Sequence, residues 1–325
     1  MLEIPHSAIS VVIQGPIDWS MDDVSLDGVT LTLTRKLREL LPEAEIVLST
    51  WTDERTHGLL FDKLVLNTPP AAQGDWPGFT PTNVNRQIIS TTAGLKAADR
   101  EFALKIRTDM VLQGLRFLEV FNLHRTSSRL FEDERALFKL PIVANNFSSR
   151  CTRSILSRLP DHPLPFHPSD HLQFGLRTDL LRLWDVPLQS DDEAFYFIDR
   201  SHPNRWRLGE LSRLAPEQYI FTECLRKQFD VQLAHYADNR DEIIELSDYY
   251  MSSHFVFIPD LHFPVKFPKY HTPHHFSFEW MRRSNILQDE ATKETTASNA
   301  VQTPFGFLSS VCKKYIMAAR RCLRR

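Results

Sequence analysis

Apolar and polar positions in the first 113 residues alternate between the period of a strand and that of a helix. Short apolar, β-branched runs predict strands at 7–13, 45–48, 63–66 and 101–106. Apolar residues at helical spacing predict helices over 31–41 and 83–98, and Pro42 ends the first. Strands and helices in alternation indicate an α/β fold, with a mostly parallel sheet covered on both faces.

The second half is less regular and ends in two segments of different character. Its pattern predicts strands at 139–144 and 255–258 and helices at 177–184 and 216–227. Residues 285–303 are polar with few large apolar side chains, which predicts a solvated linker. Residues 304–325 predict a basic amphipathic helix. We therefore expect one catalytic domain over 1–284, followed by the linker and the tail.

Ligands of open parallel sheets bind at the carboxyl ends of the strands. Three polar segments follow predicted strands: the turn Gln14-Gly15-Pro16, the segment 49–53 with Thr50 and Asp53, and Arg107-Thr108-Asp109. We expect them to line one crevice.

The predicted helix 83–98 begins with polar residues and leads into the strand that ends near Asp109. Within this helix, Arg86 directly follows Asn85, and Ser90 comes four residues, about one turn, after Arg86. Arg86 near a helix N-terminus could bind a diphosphate by charge, while free N–H groups bind it through the helix dipole. Asp109 could hold a divalent metal bridged to a phosphate, or it could cap the next turn.

The composition of the chain excludes two common nucleotide-binding motifs and bears on its partners and compartment. Gly74 and Gly78 are the only close pair among ten glycines, so neither G-x-G-x-x-G nor a P-loop motif occurs. The net charge of −3 gives no argument for a nucleic-acid partner. Four cysteines without a C-x-x-C pair favour a reduced, cytosolic compartment. We expect no signal peptide and no membrane span.

Four segments in order, VVIQGPI, AEIVLSTWTDE, NVNRQIISTTAGLKAA and FALKIRTDM, resemble the WavE lipopolysaccharide synthesis family. That family is similar to GT-A-type glycosyltransferases, so the resemblance implies a GT-A-like fold. It implies a nucleotide-sugar site at Gln14, Gly15, Thr50, Asp53, Asn85, Arg86 and Arg107. It also implies a divalent metal, Mg or Mn, on Asp109. The first acid of the family's Asp-x-Asp is Arg107 here, so Arg107 could itself neutralise diphosphate charge.

The same resemblance implies an acceptor segment over 165–180 and an acid at the start of the next helix. That helix begins near Pro216, which places Glu217 in its first turn. Glu217 is the first candidate for a general base and Asp170 the second. Alternatively, Glu217 only completes the helix N-terminus.

Five histidines, at 254, 262, 271, 274 and 275, fall within 22 positions. Their spacing lacks a helical pair with a placed carboxylate, so a dedicated zinc site is not indicated. One of them could complete the coordination of a sugar-nucleotide metal.

The sequence therefore predicts a glycosyltransferase that moves a sugar from a nucleotide donor to a lipid-linked or lipopolysaccharide acceptor. The alternatives are an inactive glycan-assembly scaffold, suggested by Arg107, and a nucleotidyltransferase, which would ordinarily have a Gly-rich or basic loop after strand one. The tail has six basic and no acidic residues, so the net charge of −3 becomes −9 for the rest of the chain. We expect a peripheral protein bound through this tail to the anionic inner face of the cytoplasmic membrane.

Overall fold

The computed structural model of the chain describes residues 3–21, 26–73, 79–128, 130–150, 164–204, 208–258, 265–266 and 268. The strands formed by these residues are β1 (Ile9–Gln14), β2 (Glu45–Trp51), β3 (Lys63–Asn67), β4 (Phe102–Arg107), β5 (Val111–Leu112), β6 (Ile142–Asn145), β7 (Leu172–Leu176), β8 (Phe255–Ile258) and β9 (Val265–Lys266). Their helices are α1 (Val29–Leu40), α2 (Val84–Ala97), α3 (Arg116–Ser127), α4 (Arg177–Trp184), α5 (Asp191–Ala194), α6 (Pro216–Arg226) and α7 (Asp241–His254).

Seven strands form one sheet in the order β3-β2-β1-β4-β7-β6-β8, and β5 pairs with β9 separately. Strand β7 is antiparallel to both of its neighbours, whereas every other neighbouring pair of the large sheet is parallel. The predicted α/β fold with a mostly parallel sheet is confirmed. Because β7 is antiparallel, the loop that enters it lies at the edge of the sheet where the parallel strands end.

Helices cover both faces of this sheet. Residues of α2, α4, α6 and α7 pack with Val12, Val47 and Ala103 on one face. Residues of α1 and α3 pack with the alternate strand positions on the other face. Because both faces are covered, all six residues of β1 and all seven of β2 are buried.

Helix α2 lies unusually close to the sheet at Gly94. A Cβ atom at Gly94 would lie 2.4 Å from Cγ1 of Val12 and 3.0 Å from Cβ of Ser49. Only a residue without a side chain permits this approach. It brings the polar first half of α2 against the ends of β1 and β2, where Ser90 donates a hydrogen bond to Gln14.

The predicted elements differ from the observed ones mainly at their ends. Strand β1 begins at Ile9 because residues 6–8 form a 3-10 turn, and the strand predicted at 139–144 is observed at Ile142–Asn145. The predicted helix 177–184 matches α4. Helices α3, α5 and α7 were not predicted. Within the described ranges, no helix has the length and apolar character needed to cross a bilayer. The linker 285–303 and the tail 304–325 lie outside the described residues, so both remain predictions.

Candidate functional site

The polar residues of the candidate site meet at the edge of the sheet where β1, β4 and β6 end. Gln14 lies opposite Ser49 of β2 and opposite Arg107 of β4. Leu172, the first residue of antiparallel β7, lies opposite Ile106. The loop before β7, which carries Asp170, therefore enters the same edge beside Arg107. The structure thus places the ends of β1, β2 and β4 at one edge of the sheet, together with the loop before β7.

The turns after β1 and β4 pack directly against each other. The N–H of Thr108 donates to the carbonyl of Gln14, and Thr30 Oγ1 donates to the carbonyl of Thr108. Gly15 has φ +118°, and a Cβ there would lie 3.0 Å from Oγ1 of Thr108. A side chain at position 15 would thus be strained and crowded. This packing fixes the main chain from which the Arg107 and Asp109 side chains project.

Arg107 and Asp109 form a bidentate ion pair at this edge. Nε of Arg107 lies 2.9 Å from Oδ1 of Asp109, and Nη2 lies 2.6 Å from Oδ2. Both side chains are mostly buried, with 18 % and 15 % of their surfaces exposed. Such paired, charge-assisted hydrogen bonds hold a guanidinium in one orientation.

Asp170 lies in a loop whose main chain is held by side chains from three directions. Gln173 Nε2 donates to the carbonyl of Ser169, and Lys105 Nζ donates to the carbonyl of Asp170 itself. The N–H of Ser169 donates to Ser149 Oγ, and the Ser169 hydroxyl donates to Asn145 Oδ1. The Asp170 carboxylate is thus presented by a fixed backbone rather than by a mobile loop.

Asp170 and His171 form a deeply buried pair in the site. Nδ1 of His171 lies 3.4 Å from Oδ1 of Asp170, and each side chain is only 5 % exposed. Burial lowers the pKa of His171 to about 4, although the Asp170 charge opposes this. Burial alone raises the pKa of Asp170, but interaction with His171, which is protonated only in acid, and with the charges of Lys105 and Arg107 outweighs it and lowers the pKa below the usual value. At neutral pH, Asp170 is ionised and His171 is neutral.

Glu217 lies in the first turn of α6 and has the opposite protonation preference. Its Oε2 lies 3.3 Å from Nε2 of His167, and its side chain is 14 % exposed. Burial, followed by the Asp170 charge, raises the pKa of Glu217 to about 8. Since the pKa of Asp170 is lowered and that of Glu217 is raised, Asp170 is ionised and Glu217 is protonated at neutral pH.

Both Glu217 and Gln218 contact the N-terminal turn of α6. The N–H of Ala215 donates to Oε1 of Gln218, at 3.1 Å, so Gln218 supplies the reciprocal contact of a capping box. The Glu217 carboxyl accepts a hydrogen bond from its own main-chain N–H. The capping role of Glu217 therefore stays an alternative beside its role as an acid of the site.

The other predicted nucleotide-binding residues differ from one another in burial and in their hydrogen-bond partners. Gln14 is buried, and its Oε1 accepts a hydrogen bond from Ser90. Thr50 is fully buried, whereas Asp53 is exposed. Asn85 binds both main-chain groups of Gln189, with Oδ1 2.7 Å from the N–H and Nδ2 2.9 Å from the carbonyl.

Arg86 lies beside Asn85, and its Nε is 3.4 Å from the carbonyl of Pro70. The structure thus brings Gln14, Arg107 and Asp109 to one edge with the two acids. The contacts of Asn85 and Arg86 are instead with neighbouring loops, so Asn85 acts there as a brace between α2 and the segment after α4.

The histidine cluster predicted from 254 to 275 contributes one described residue. His254 is buried, and its Nε2 accepts a hydrogen bond from the N–H of Leu137 at 2.9 Å. His262, His271, His274 and His275 lie outside the described residues.

The sequence analysis missed three residues that belong to the charged site: Lys105, His167 and His171. The two histidines flank Asp170 in the run Phe166-His167-Pro168-Ser169-Asp170-His171, and that proximity was the available signal. Lys105 interrupts an otherwise apolar strand, which was a second signal.

The fit of a divalent metal can be tested on the donor atoms at Asp109. Both carboxylate oxygens are bound by Arg107, whose positive charge opposes a cation there. Among the described residues there is no group of three or more His, Cys, Asp or Glu side chains able to hold a metal ion. These residues do not fit the predicted metal, so no step below is derived through one.

Comparison with known proteins identifies the family. No curated protein matches the chain significantly. A matching solved structure is the 4-diphosphocytidyl-2C-methyl-D-erythritol synthase from Anaerococcus prevotii DSM 20548. It is 16 % identical, with a TM-score of 0.32, and the match covers 76 % of this chain and 99 % of that chain. The family model of WavE lipopolysaccharide synthesis matches residues 9–311. The chain therefore belongs to the WavE lipopolysaccharide synthesis family.

Proposed function

We propose that this protein is a glycosyltransferase that moves a sugar from a nucleotide-sugar donor onto a lipopolysaccharide core or a related surface glycan. Family membership supports a role in lipopolysaccharide synthesis. The observation that carries the finer proposal is the pair of acids Asp170 and Glu217, in opposite protonation states, beside the fixed cation Arg107. Group transfer to a hydroxyl needs a base for the proton and positive charge for the leaving group.

In the proposed reaction, Asp170 is the general base. The acceptor hydroxyl loses its proton to the ionised carboxylate as its oxygen forms a bond to the anomeric carbon of the donor. The bond between that carbon and the nucleotide diphosphate breaks, and its electron pair leaves with the diphosphate. Attack on the face opposite the leaving group inverts the anomeric centre. The proton taken up by Asp170 is later released to water.

The partly exposed guanidinium of Arg107 is the proposed contact for the leaving diphosphate. Its charge would stabilise the negative charge that develops as the bond breaks. Glu217, which is protonated at neutral pH, is a hydrogen-bond donor rather than a base in this scheme. It was the first candidate from the sequence, and its raised pKa is the reason for preferring Asp170.

The proposed site of action is the inner face of the cytoplasmic membrane. The six basic residues of the tail 304–325 would bind anionic lipid, where a lipid-linked acceptor is assembled.

A panel of ligands tests the donor class. Thermal unfolding is measured with nucleotide sugars, nucleoside diphosphates and nucleoside triphosphates, and then donor hydrolysis is followed without an acceptor. We expect stabilisation by one nucleotide family and slow hydrolysis of its sugar derivative, which Asp170→Asn abolishes. Stabilisation by a triphosphate alone would instead indicate nucleotidyl transfer. No stabilisation by any of them, and no hydrolysis, would indicate a scaffold protein.

A further inference from the structure

A lysine lies in the interior of the sheet, where a lone charge is costly. Lys105 is in the middle of β4 between Leu104 and Ile106, and it has no exposed surface. Burying an ammonium group costs several kcal/mol unless hydrogen bonds and opposite charges compensate for it. A β-branched apolar residue would suit this strand position better, so Lys105 is present at a cost to stability.

Lys105 contacts both the loop that carries Asp170 and helix α4. Its Nζ donates to the carbonyl of Asp170 and lies 4.6 Å from the centroid of the Trp184 ring. The indole N–H of Trp184 donates to Oε1 of Gln173 at 2.7 Å. Gln173, which lies opposite Lys105 in the sheet, donates in turn to the carbonyl of Ser169 at 2.9 Å.

Lys105 and Gln173 therefore bind two consecutive carbonyls of the loop, those of Asp170 and Ser169, from the side of the sheet. Trp184 packs against the lysine and orients the glutamine. The three side chains come from β4, β7 and α4, so the position of the loop is tied to the sheet and to a helix. Residues that orient a functional group through its main chain in this way determine how well it is positioned.

The charge of Lys105 also faces the ionisable groups of the site. The groups that interact with it are Asp170 on the loop, Arg107 at the end of β4, Asp109 after β4, and Glu217 on α6. His171 and His167 complete the surroundings of Asp170. Burial lowers the pKa of Lys105 to about 8, against the three carboxyls, which raise it. The ammonium is therefore mostly charged at neutral pH.

We propose that Lys105 is the positioning residue of this site, which fixes the main chain at Asp170 and supplies the buried positive charge that keeps the Asp170 carboxylate ionised. It does not touch substrate, because it is fully buried. This inference rests on the proposed function for Asp170 as the base, but its electrostatic part can be measured without any transfer.

The kinetic test uses Lys105→Gln, which keeps a hydrogen-bond donor and removes the charge, and Lys105→Arg, which keeps the charge. Lys96→Gln, at an exposed lysine paired with Asp185, is the matched control. We expect Lys105→Gln to lower kcat by about tenfold or more at pH 7, with the donor KM within about twofold. We also expect the acid limb of its kcat profile to move up by about one pH unit, because Asp170 loses a neighbouring cation.

The charge-preserving Lys105→Arg should return the acid limb towards its original pH. An unchanged limb in a folded Lys105→Gln protein, or a raised KM with unchanged kcat, would overturn the proposal and leave a purely structural lysine.

The second measurement needs neither activity nor a Lys105 variant. Coupling between two titrating groups is reciprocal, so removal of the Asp170 charge must lower the pKa of Lys105. The Nζ of Lys105 is followed by NMR in the unaltered protein and in Asp170→Asn. We expect its midpoint to fall by about one pH unit in the variant, and an unchanged midpoint overturns the inference. Absence of transfer with every donor, together with a shifted midpoint, would reject the proposed function and keep the electrostatic coupling.

Discussion

Arg107 binds both carboxylate oxygens of Asp109, with Nε 2.9 Å from Oδ1 and Nη2 2.6 Å from Oδ2. The positive charge at this edge of the sheet is therefore part of the protein itself. A divalent cation on Asp109 would have to displace the guanidinium or lie beside it. Under the proposed function, Arg107 meets the donor diphosphate and Asp109 orients the guanidinium.

Donor binding should then be independent of divalent metal. Once a donor is identified, its Kd is measured by calorimetry in EDTA, in Mg²⁺ and in Mn²⁺, and we expect values within about twofold. Arg107→Met should weaken binding roughly tenfold or more, because a charge-assisted contact contributes about 1.5–3 kcal/mol. Asp109→Asn should have a smaller effect, because it loosens the guanidinium without removing it. Loss of donor binding in EDTA would restore the metal predicted from the sequence.

The two acids of the site should respond differently to neutral amide substitutions. Asp170→Asn removes the ionised carboxylate, so we expect kcat to fall about a hundredfold to ten-thousandfold with donor affinity little changed. Glu217→Gln replaces a carboxyl that is already protonated at pH 7, because its pKa is about 8. Its kcat should fall by less than about tenfold.

The pH profile separates the same two residues. In the unaltered protein, deprotonation of Glu217 adds a second negative charge beside Asp170, and Lys105 loses its proton in the same range, so the profile should change near pH 8. Glu217→Gln should remove the part of this change that comes from Glu217, and a kcat measurement from pH 6 to 9 checks it. If the large loss occurs in Glu217→Gln and not in Asp170→Asn, the base has been assigned to the wrong acid.

The sequence predicted the sheet because buried parallel strands are nearly continuous apolar runs, as in β1 and β2. It did not predict α7, in which the polar run Ser247-Asp248 and Ser252-Ser253 obscures the buried Tyr250 and Met251. Tertiary packing, rather than local propensity, supports such a helix.

The site was predicted only where local position determines chemistry. Arg107 and Asp109 follow a strand, and Asp170 and Glu217 occupy a loop and a first helical turn, all of which are readable along the chain. The role of Lys105 depends on Trp184 and Asp170, which are 79 and 65 residues away. The proton on Glu217 depends on burial and on Asp170, and neither effect is visible in the sequence around α6.

A buried histidine should make the fold sensitive to acid. The ring of His254 accepts a hydrogen bond from the Leu137 N–H through Nε2, and burial lowers its pKa to about 4. The unfolded chain binds this proton near pH 6.5, so stability is fully present above that pH and is lost as the pH falls towards 4. From pH 7 to pH 5 the loss from His254 should be about 2 kcal/mol.

Urea unfolding at pH 7, 6 and 5 measures this loss. His254→Gln keeps an acceptor for the Leu137 N–H and cannot be protonated, so its free energy of unfolding should depend less on pH. His57→Gln, at an exposed histidine, is the matched control and should retain the full dependence. Equal pH dependence in the unaltered protein and His254→Gln would contradict the assignment.

The last prediction concerns the tail 304–325. On a helical wheel its basic residues fall within roughly 140°; they are Lys313, Lys314, Arg320, Arg321, Arg324 and Arg325. Most of its apolar side chains fall on the opposite side, with Met317 as an exception. Since the rest of the chain carries −9, binding of the body to an anionic surface would be unfavourable without this segment.

Flotation with liposomes of anionic and of neutral lipid tests this attachment. The full chain should float with anionic vesicles at low salt and dissociate as salt rises, because each Lys or Arg contributes about 1 kcal/mol near such a surface. A chain ending at Gln302 should remain unbound in both. Replacement of Lys313, Lys314, Arg320 and Arg321 by Gln keeps the apolar side chains and two of the six basic residues, and it should remove most of the salt-dependent part alone. Identical flotation of the full and shortened chains, unaffected by salt, would instead favour a helix packed on the catalytic domain with its basic face in water.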